Sequence, residues 1–456
     1  MISNDTICAL ATAPGGAIGI IRVSGPQAFD AVSSICSVDC ASVAANSVHF
    51  THLITPSPVG GGRGEVLDEV LVSIFRAPHS YTGEDSVEIS CHGSRYILNK
   101  VLELLIQQGC RMAEPGEFTK RAYLNGKMDL SQAEAVADLI ASTNRASHQM
   151  AMSQLRGHFS SELSTLRDQL LKLTSLLELE LDFSDHEELE FADRTELLSL
   201  TKAINNRIAS LSNSYQTGQA LKNGIPVAII GKTNVGKSTL LNRLLKDDRA
   251  IVSDIHGTTR DTIEDTIDIK GVTFRFIDTA GIRQTIDTIE QIGIDRTYAA
   301  ISKARIVLWL FDAQPTAEEI ADITARCQDR TLIPVWNKVD LGSVCCNQVA
   351  TQPVIAISAK HGQNLDALEA AIYEAADIPT LTDSDVIVTN ARHYEALTRA
   401  QESILRVIDG LQNQLSSDLL SEDLRQTLDI LAEITGGQIT TDEVLGNIFK
   451  NFCVGK

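Results

Sequence analysis

The sequence predicts a multidomain protein that joins α+β and α/β parts: an N-terminal α+β domain, then a helical bundle interrupted by a P-loop domain on a doubly wound, mostly parallel sheet. Three observations predict this. Short β-type runs interleaved with Gly and Pro fill residues 1–126. Apolar residues then recur every three or four positions in two separate stretches, as helices that bury one face require. Between those stretches, apolar runs alternate with helix-like segments, and the first run closes on GKTNVGKS.

Taken in order, residues 1–126 carry the β-type runs Ala17 to Gly25, Val70 to Phe75 and Ser86 to Cys91. Residues 127–222 are expected to be helical. They open with Ser131 and Glu134 at capping-box spacing, ahead of an apolar helix through Ile140. Leu155, Phe159, Leu163, Leu166, Leu170, Leu173, Leu177 and Leu181 then form the seam of one long helix. Residues 223–379 hold the apolar runs of the α/β domain: IPVAIIG, TFRFIDTAG, RIVLWLFDA, TLIPVWNKVD and PVIAISAK. Residues 380–456 return to helix, with Leu397, Ile404, Leu405, Ile408 and Leu411 on one face and Leu424, Leu428, Leu431 and Ile434 on another. Neither helical stretch can bury its face alone, so the two are expected to form one bundle that feels the inserted domain at both attachment points.

Composition narrows the function. The chain has 456 residues, 43% of them hydrophobic and 21% charged, enough for sizeable cores. Its net charge of −20 opposes nonspecific binding to nucleic-acid phosphates and to anionic membrane surfaces, so contact with RNA must be local or supplied by a partner. No run is long and apolar enough for a bilayer, and Asp5 interrupts the N-terminal apolar stretch, so a cytoplasmic location is expected. The nine cysteines lack metal-ligand spacing: Cys345 and Cys346 are adjacent, and Cys36 and Cys40 have no second pair nearby. Reduced, buried thiols are expected.

The segment Gly231 to Ser238 sits at a strand-to-helix turn, where a phosphate loop belongs. Gly231 and Gly236 let the backbone amides converge on a phosphate. Lys237 reaches its oxygens, and the Ser238 hydroxyl can hold Mg²⁺ at the helix N-terminus. Asn234, Val235 and Thr239 complete the nucleotide-binding stretch. Further along, Asp278, Thr279, Ala280 and Gly281 follow an apolar run, where an acidic strand end can order Mg²⁺ and a glycine can meet the γ-phosphate.

Asn337, Lys338, Val339 and Asp340 suit guanine. The Asp340 carboxylate can accept from the ring N–H and the exocyclic amine together, Asn337 can donate to the base edge, and the Lys338 stem can cover its face. Ser358, Ala359 and Lys360 can supply an amide to the base oxygen. Four loops in this order at successive strand ends predict GTP as the ligand.

The loop Ser253, Asp254, Ile255, His256, Gly257, Thr258, Thr259 supplies a switch, with Thr259 the candidate to complete Mg²⁺ coordination. The position after DTAG is Ile282, which cannot orient water. Glu290 is either the water-orienting carboxylate or a solvated switch residue. Positive charge at the phosphates can come from Arg260 and Arg283, or from a monovalent cation caged by Asn234 and main-chain oxygens of the Ser253 to Thr258 loop.

The whole chain resembles the tRNA modification GTPase family MnmE, also called TrmE. The resemblance rests on DTICALATAPGGAIGIIRVSG, SYTGED, PGEFTKRAYLNGKMDLSQAEAVADLI, the GTTRD and DTAG loops, and the terminal FCVGK. It implies a K⁺-dependent GTPase, with Asn234 as side-chain ligand, carbonyls of Ser253 and Ile255, and Thr258 nearby. Hydrolysis would be coupled to G-domain dimerisation, and Glu290 would orient the water. The N-terminal α+β domain would be folate-binding-like, form a homodimer and bind 5-formyltetrahydrofolate or a related tetrahydrofolate through Arg22, Glu88, Lys127 and Lys456. With a flavoprotein partner, MnmG, which uses FAD and NADH in a heterotetramer, the family installs an aminomethyl or carboxymethylaminomethyl group at carbon 5 of the wobble uridine of certain tRNAs. Cys453 is then a candidate redox or nucleophilic participant. One departure stands out: Cys91, His92, Gly93 and Ser94 occupy a place the family usually fills with Gly-His-Gly-Gly. The alternative reading is a regulatory GTPase of ribosome assembly.

Overall fold

The protein is described by a computed structural model that covers residues 5–55, 65–182, 194–247, 265–277, 298–342, 347–349, 351–379, 385–437, 445, 448–450, 452 and 455, with backbone alone over 179–182 and 246–247. It divides into two compact units. The first comprises Met1–Ile140, Gln154–Ile204 and Arg399–Lys456, and the second Ala141–Ser153 and Asn205–Thr398.

The first unit is built on a six-stranded sheet of β1 (Ile7–Leu10), β2 (Ile18–Ser24), β3 (Ser47–Ile54), β4 (Val66–Phe75), β5 (Ser86–His92) and β6 (Arg111–Met112), in the order β3-β4-β5-β2-β1-β6. All pairings are antiparallel except β1 with β6. Strand alternation sends Val70, Val72, Ile74, Val87 and Ile89 to one face, where they are buried with residues of the helices Ala28–Ile35 and Arg95–Gln107. The opposite face carries Arg22 and Glu88, direct partners across β2 and β5.

Three helical details differ from expectation. The capping box at Leu130–Ala141 is formed by Asp129 and Gln132: Asp129 Oδ1 accepts from Gln132 N, and Gln132 Oε1 accepts from Asp129 N, both at 2.9 Å. Ser131 instead lies inside the helix and donates to Asp129. An Asp two residues earlier is the stronger cap because its carboxylate accepts both the Gln132 amide and the Ser131 hydroxyl.

The expected single long helix is two helices, Arg145–Leu155 and His158–Asp182, divided at Gly157, whose φ of +83° cannot continue a right-handed helix. Leu155 therefore belongs to the earlier helix, while Phe159, Leu163, Leu166, Leu170, Leu173 and Leu177 are buried along the later one, which packs on Ser417–Thr435. In Ala391–Gln412 the buried stripe is Leu397, Ala400, Ile404, Val407 and Leu411, whereas Leu405 is 47% exposed. A period of 3.6 residues selects Val407 after Ile404 and turns Leu405 outward.

The second unit holds β7 (Ile225–Ile230), β8 (Asp265–Ile269), β9 (Val272–Phe276), β10 (Ile306–Phe311), β11 (Thr331–Trp336), the small pair β12 (Gln348–Val349) and β13 (Gln352–Pro353), and β14 (Ile355–Ala356). The main sheet has the order β14-β11-β10-β7-β9-β8 and is parallel except for β8. β10 is buried throughout, as a strand covered on both faces must be. Val227 and Ile229 join the core on one side with Leu240, Leu244 and Leu368, and Ala228 and Ile230 join the other with Val307, Trp309 and Phe311. The doubly wound, mostly parallel sheet is thus present.

Candidate functional site: a phosphate loop clasped by a base-reading loop

The C-terminal ends of β7, β10, β11 and β14 lie side by side, and the predicted loops follow them. After β7 the chain turns through Gly231 and Gly236, at φ of +148° and +99°. A Cβ on Gly231 would stand 2.3 Å from Leu310 O, and one on Gly236 would stand 2.3 Å from Asn337 Nδ2. Only glycine fits either place. Val235 is buried beneath the loop, while Asn234, in the left-handed region at +63°, is exposed on it.

Lys237 begins the helix Lys237–Asp247 and folds back over the loop, donating to Gly231 O and Lys232 O at 2.7 Å each. Burial holds its ammonium below the ordinary lysine range. Two neutral carbonyls thus hold a partly desolvated cation at the helix N-terminus, an arrangement ready to exchange those carbonyls for phosphate oxygens. Ser238 and Thr239 follow in the same turn, Thr239 exposed.

Asn337 joins the loops. It is 3% exposed; its Nδ2 donates to Val235 O at 2.7 Å and its Oδ1 accepts from Ala359 N at 3.0 Å. The residue expected to donate to the base edge is thus also a strut between the phosphate loop and the Ser358 to Lys360 loop: one N–H of its Nδ2 goes to Val235 O, and its Oδ1 accepts from the Ala359 amide. Lys338 adopts a φ of +64° and its Nζ lies 2.7 Å from Asp312 Oδ2. Val339 N donates to Ile357 O. Ser358 Oγ donates to Asp340 Oδ1 at 2.6 Å, and His361 Nε2 lies 3.7 Å from Asp340 Oδ2. The Ser358 hydroxyl, then His361 and Lys360, keep the Asp340 carboxyl below its ordinary range, so it stays an acceptor. Lys360 is exposed at the end of the motif.

In the first unit, Arg22 Nε donates to Glu88 Oε1 at 2.9 Å, Arg22 Nη1 donates to Gly455 O at 3.2 Å, and the guanidinium lies over the rings of Tyr81 and Phe118. The structure brings Arg22 and Glu88 together with the backbone of the terminal motif. Lys127 Nζ donates to Pro78 O at 2.8 Å. Arg22 is thus already neutralised by Glu88, and Lys127 carries the less committed positive charge.

Sequence reasoning missed the support beneath this site. Arg121, 5% exposed at its side chain, donates to Asp5, Glu84 and Glu117, and Arg111 donates to Asp5 and Glu117. The readable signal was the i,i+4 spacing of Glu117 and Arg121. It also missed Asp312, and Glu319, which bonds Lys232 at 2.5 Å; Thr316 and Glu319 stand at capping-box spacing, and that box is formed.

Ser253, Asp254, Ile255, His256, Gly257, Thr258, Thr259, Asp278, Thr279, Ala280, Gly281, Glu290, Cys453 and Lys456 lie outside the described residues. Six described cysteines, Cys8, Cys36, Cys40, Cys91, Cys110 and Cys327, are free and buried. Burial pushes the Cys36 thiol up to about 12 and the Cys91 thiol up to about 11. Among the described residues no helix is long and apolar enough to cross a membrane.

Fold and loops together define a phosphate-loop protein built on a mostly parallel α/β sheet. Residues 130–453 match the model for the MnmE helical domain, and residues 6–127 match that for the GTP-binding protein TrmE N-terminus. The tRNA modification GTPase MnmE of Phocaeicola vulgatus is 54% identical over 499 aligned positions, that of Bacteroides fragilis 55% over 469, each alignment covering 100% of both chains. The Porphyromonas gingivalis protein of the same name is 48% identical, covering 100% of this chain and 98% of its own. The chain belongs to the MnmE (TrmE) family of tRNA modification GTPases.

Proposed function

We propose that this chain hydrolyses GTP in a K⁺-dependent manner and, with the flavoprotein partner MnmG, installs an aminomethyl or carboxymethylaminomethyl group at carbon 5 of the wobble uridine of certain tRNAs. One observation carries the reading: proteins named tRNA modification GTPase match this chain from end to end.

In this reading residues 223–379 bind GTP. Lys237 gives up Gly231 O and Lys232 O for the β- and γ-phosphate oxygens, Asp340 reads the guanine N–H groups, and the Lys338 stem covers the base. Ser238, with Thr259, would hold Mg²⁺, and the exposed, left-handed Asn234 would offer its side-chain oxygen to K⁺. These ions supply positive charge at the phosphates when bound. Glu290 orients the attacking water.

Residues 1–126 form the dimerising tetrahydrofolate-binding domain, and residues 127–222 and 380–456 form the helical part. The aromatic walls Tyr81 and Phe118 beside Arg22 and Glu88 fit a flat ring bearing N–H groups, with Lys127 and Lys456 left for its acidic tail. A tetrahydrofolate bound there would supply the one-carbon unit, with FAD and NADH held by the partner. The exposed Val48 and Phe50 of β3 and Leu71 of β4 support a homodimer formed through the sheet.

Nucleoside analysis of tRNA from cells lacking the chain tests the whole reading. Loss of a C5-modified wobble uridine is expected; an unchanged profile with defective ribosomes would instead favour a regulatory GTPase.

A further inference from the structure

The end of β10 grips the base loop at two successive residues. Phe311 O accepts from Asn337 N at 2.8 Å, and the next residue, Asp312, holds the ammonium of Lys338 at 2.7 Å. The segment that follows grips the phosphate loop as well. Glu319 is fixed by its capping box, with Thr316 N donating to Glu319 Oε2 at 3.0 Å and Glu319 N donating to Thr316 Oγ1 at 3.2 Å, and its other oxygen bonds Lys232. Eight residues, 312 to 319, thus carry a carboxylate for each of the two loops between which a nucleotide must lie.

A lysine has four rotatable side-chain bonds, and ordering one when a ligand arrives costs affinity. Lys338 has its ammonium tied and its backbone in the left-handed region, so much of that freedom is already lost without nucleotide. We infer that Asp312 is a positioning residue of the guanine site: by anchoring the Lys338 ammonium it holds the methylene stem across the place of the base and slows nucleotide release. This rests on the reading in which Lys338 covers the base. The contact is one-third exposed on both sides, so its effect is modest and sensitive to salt.

Release of a fluorescent GDP analogue from the full chain, followed by stopped flow, tests it. Asp312→Ala is expected to speed release about threefold to fivefold, and Asp312→Asn, which keeps the shape without the charge, by less. Lys338→Ala should speed release by itself, and adding Asp312→Ala to it should change nothing further. Affinity for inorganic triphosphate, which has no base, should be the same with and without Asp312→Ala.

Unchanged release from Asp312→Ala beside fast release from Lys338→Ala overturns the inference and leaves base covering intact. Wild-type release from Lys338→Ala overturns base covering and the inference with it. Additive effects of the two substitutions, or triphosphate affinity falling in step with GDP affinity, would show that Asp312 acts by some route other than Lys338 and overturn the inference as well.

Discussion

Replacing Asn337 with Ala removes the strut between the phosphate loop and the Ser358 to Lys360 loop while leaving every residue from Gly231 to Thr239 in place. The substitution deletes the bond to Val235 O at 2.7 Å and the bond from Ala359 N at 3.0 Å, both away from water. Each buried backbone group left without a partner costs about 1–3 kcal/mol, so the pair is worth about 2–6 kcal/mol before relaxation. Water entering the vacated space recovers part of it. A remaining cost of about 3 kcal/mol, if it falls on the closed arrangement of the loops, lowers GDP affinity about a hundredfold.

Equilibrium binding of a fluorescent GDP analogue measures this directly, with chemical unfolding of the same sample showing how much of the cost falls on stability. A second substitution checks the direction of the bonds. Asn337→Asp keeps an acceptor for Ala359 N but sets a carboxylate oxygen against the Val235 carbonyl, acceptor to acceptor. Its defect should equal or exceed that of Asn337→Ala at neutral pH. The introduced carboxyl has its folded pKa raised, so its defect should shrink as pH falls through that value, when a proton lets it donate to Val235 O. GDP affinity within twofold of the wild type in Asn337→Ala would refute the strut.

Arg121→Ala removes the one cation shared by Asp5, Glu84 and Glu117, leaving Arg111 for Asp5 and Glu117 and the Ser24 hydroxyl for Glu84, and should cost about 3 kcal/mol of stability, read as a lower thermal midpoint. Burial pushes the Glu117 carboxyl up, but Arg111, the Glu114 amide and Arg121 together bring it below its ordinary range. With the folded pKa depressed, that stability is complete above the unfolded value of about 4.3 and is lost as pH falls through the folded one. Glu117→Gln should flatten this acid limb of the midpoint against pH. Exchanging K⁺ for Na⁺ should slow GTP hydrolysis at least about tenfold, equal to about 1.4 kcal/mol of barrier, and Asn234→Ala should erase the difference between the salts. Asp340→Asn should move nucleotide preference from GTP toward xanthosine triphosphate, measured by competition; unchanged preference would remove Asp340 from base recognition.

The elements were legible wherever burial imposes a period. β10 reads as an unbroken apolar run because both of its faces are covered, and β4 and β5 read as alternation because each has one buried face. Where the same period permits two outcomes, the sequence was ambiguous. The leucine seam continues in step across Gly157, so spacing alone did not reveal two helices; the φ of +83° at that glycine is what divides them. Leu405 outranks Val407 in size, yet the helix turns it outward. At the start of Leu130–Ala141 spacing pointed to Ser131, yet Asp129, which accepts from both the Gln132 amide and the Ser131 hydroxyl, caps the helix.

The site was legible in its loops and illegible in what holds them. GKTNVGKS, Asn337 to Asp340 and Ser358 to Lys360 each belong to a local turn, so their residues announce themselves in a short window. Asp312 does not: its partner Lys338 is 26 residues away. What joins them is strand order. β10 lies between β7 and β11, so the residue that leaves β10 emerges between the phosphate loop and the base loop. Asp312 there meets Lys338 from one side, and the helix that follows brings Glu319 to Lys232 on the other. The same logic governs Arg22 and Glu88, 66 residues apart and register partners on β2 and β5. Pairings of this kind follow from topology, and once the parallel order of β14, β11, β10 and β7 is known they can be anticipated at every strand end along the nucleotide-binding edge.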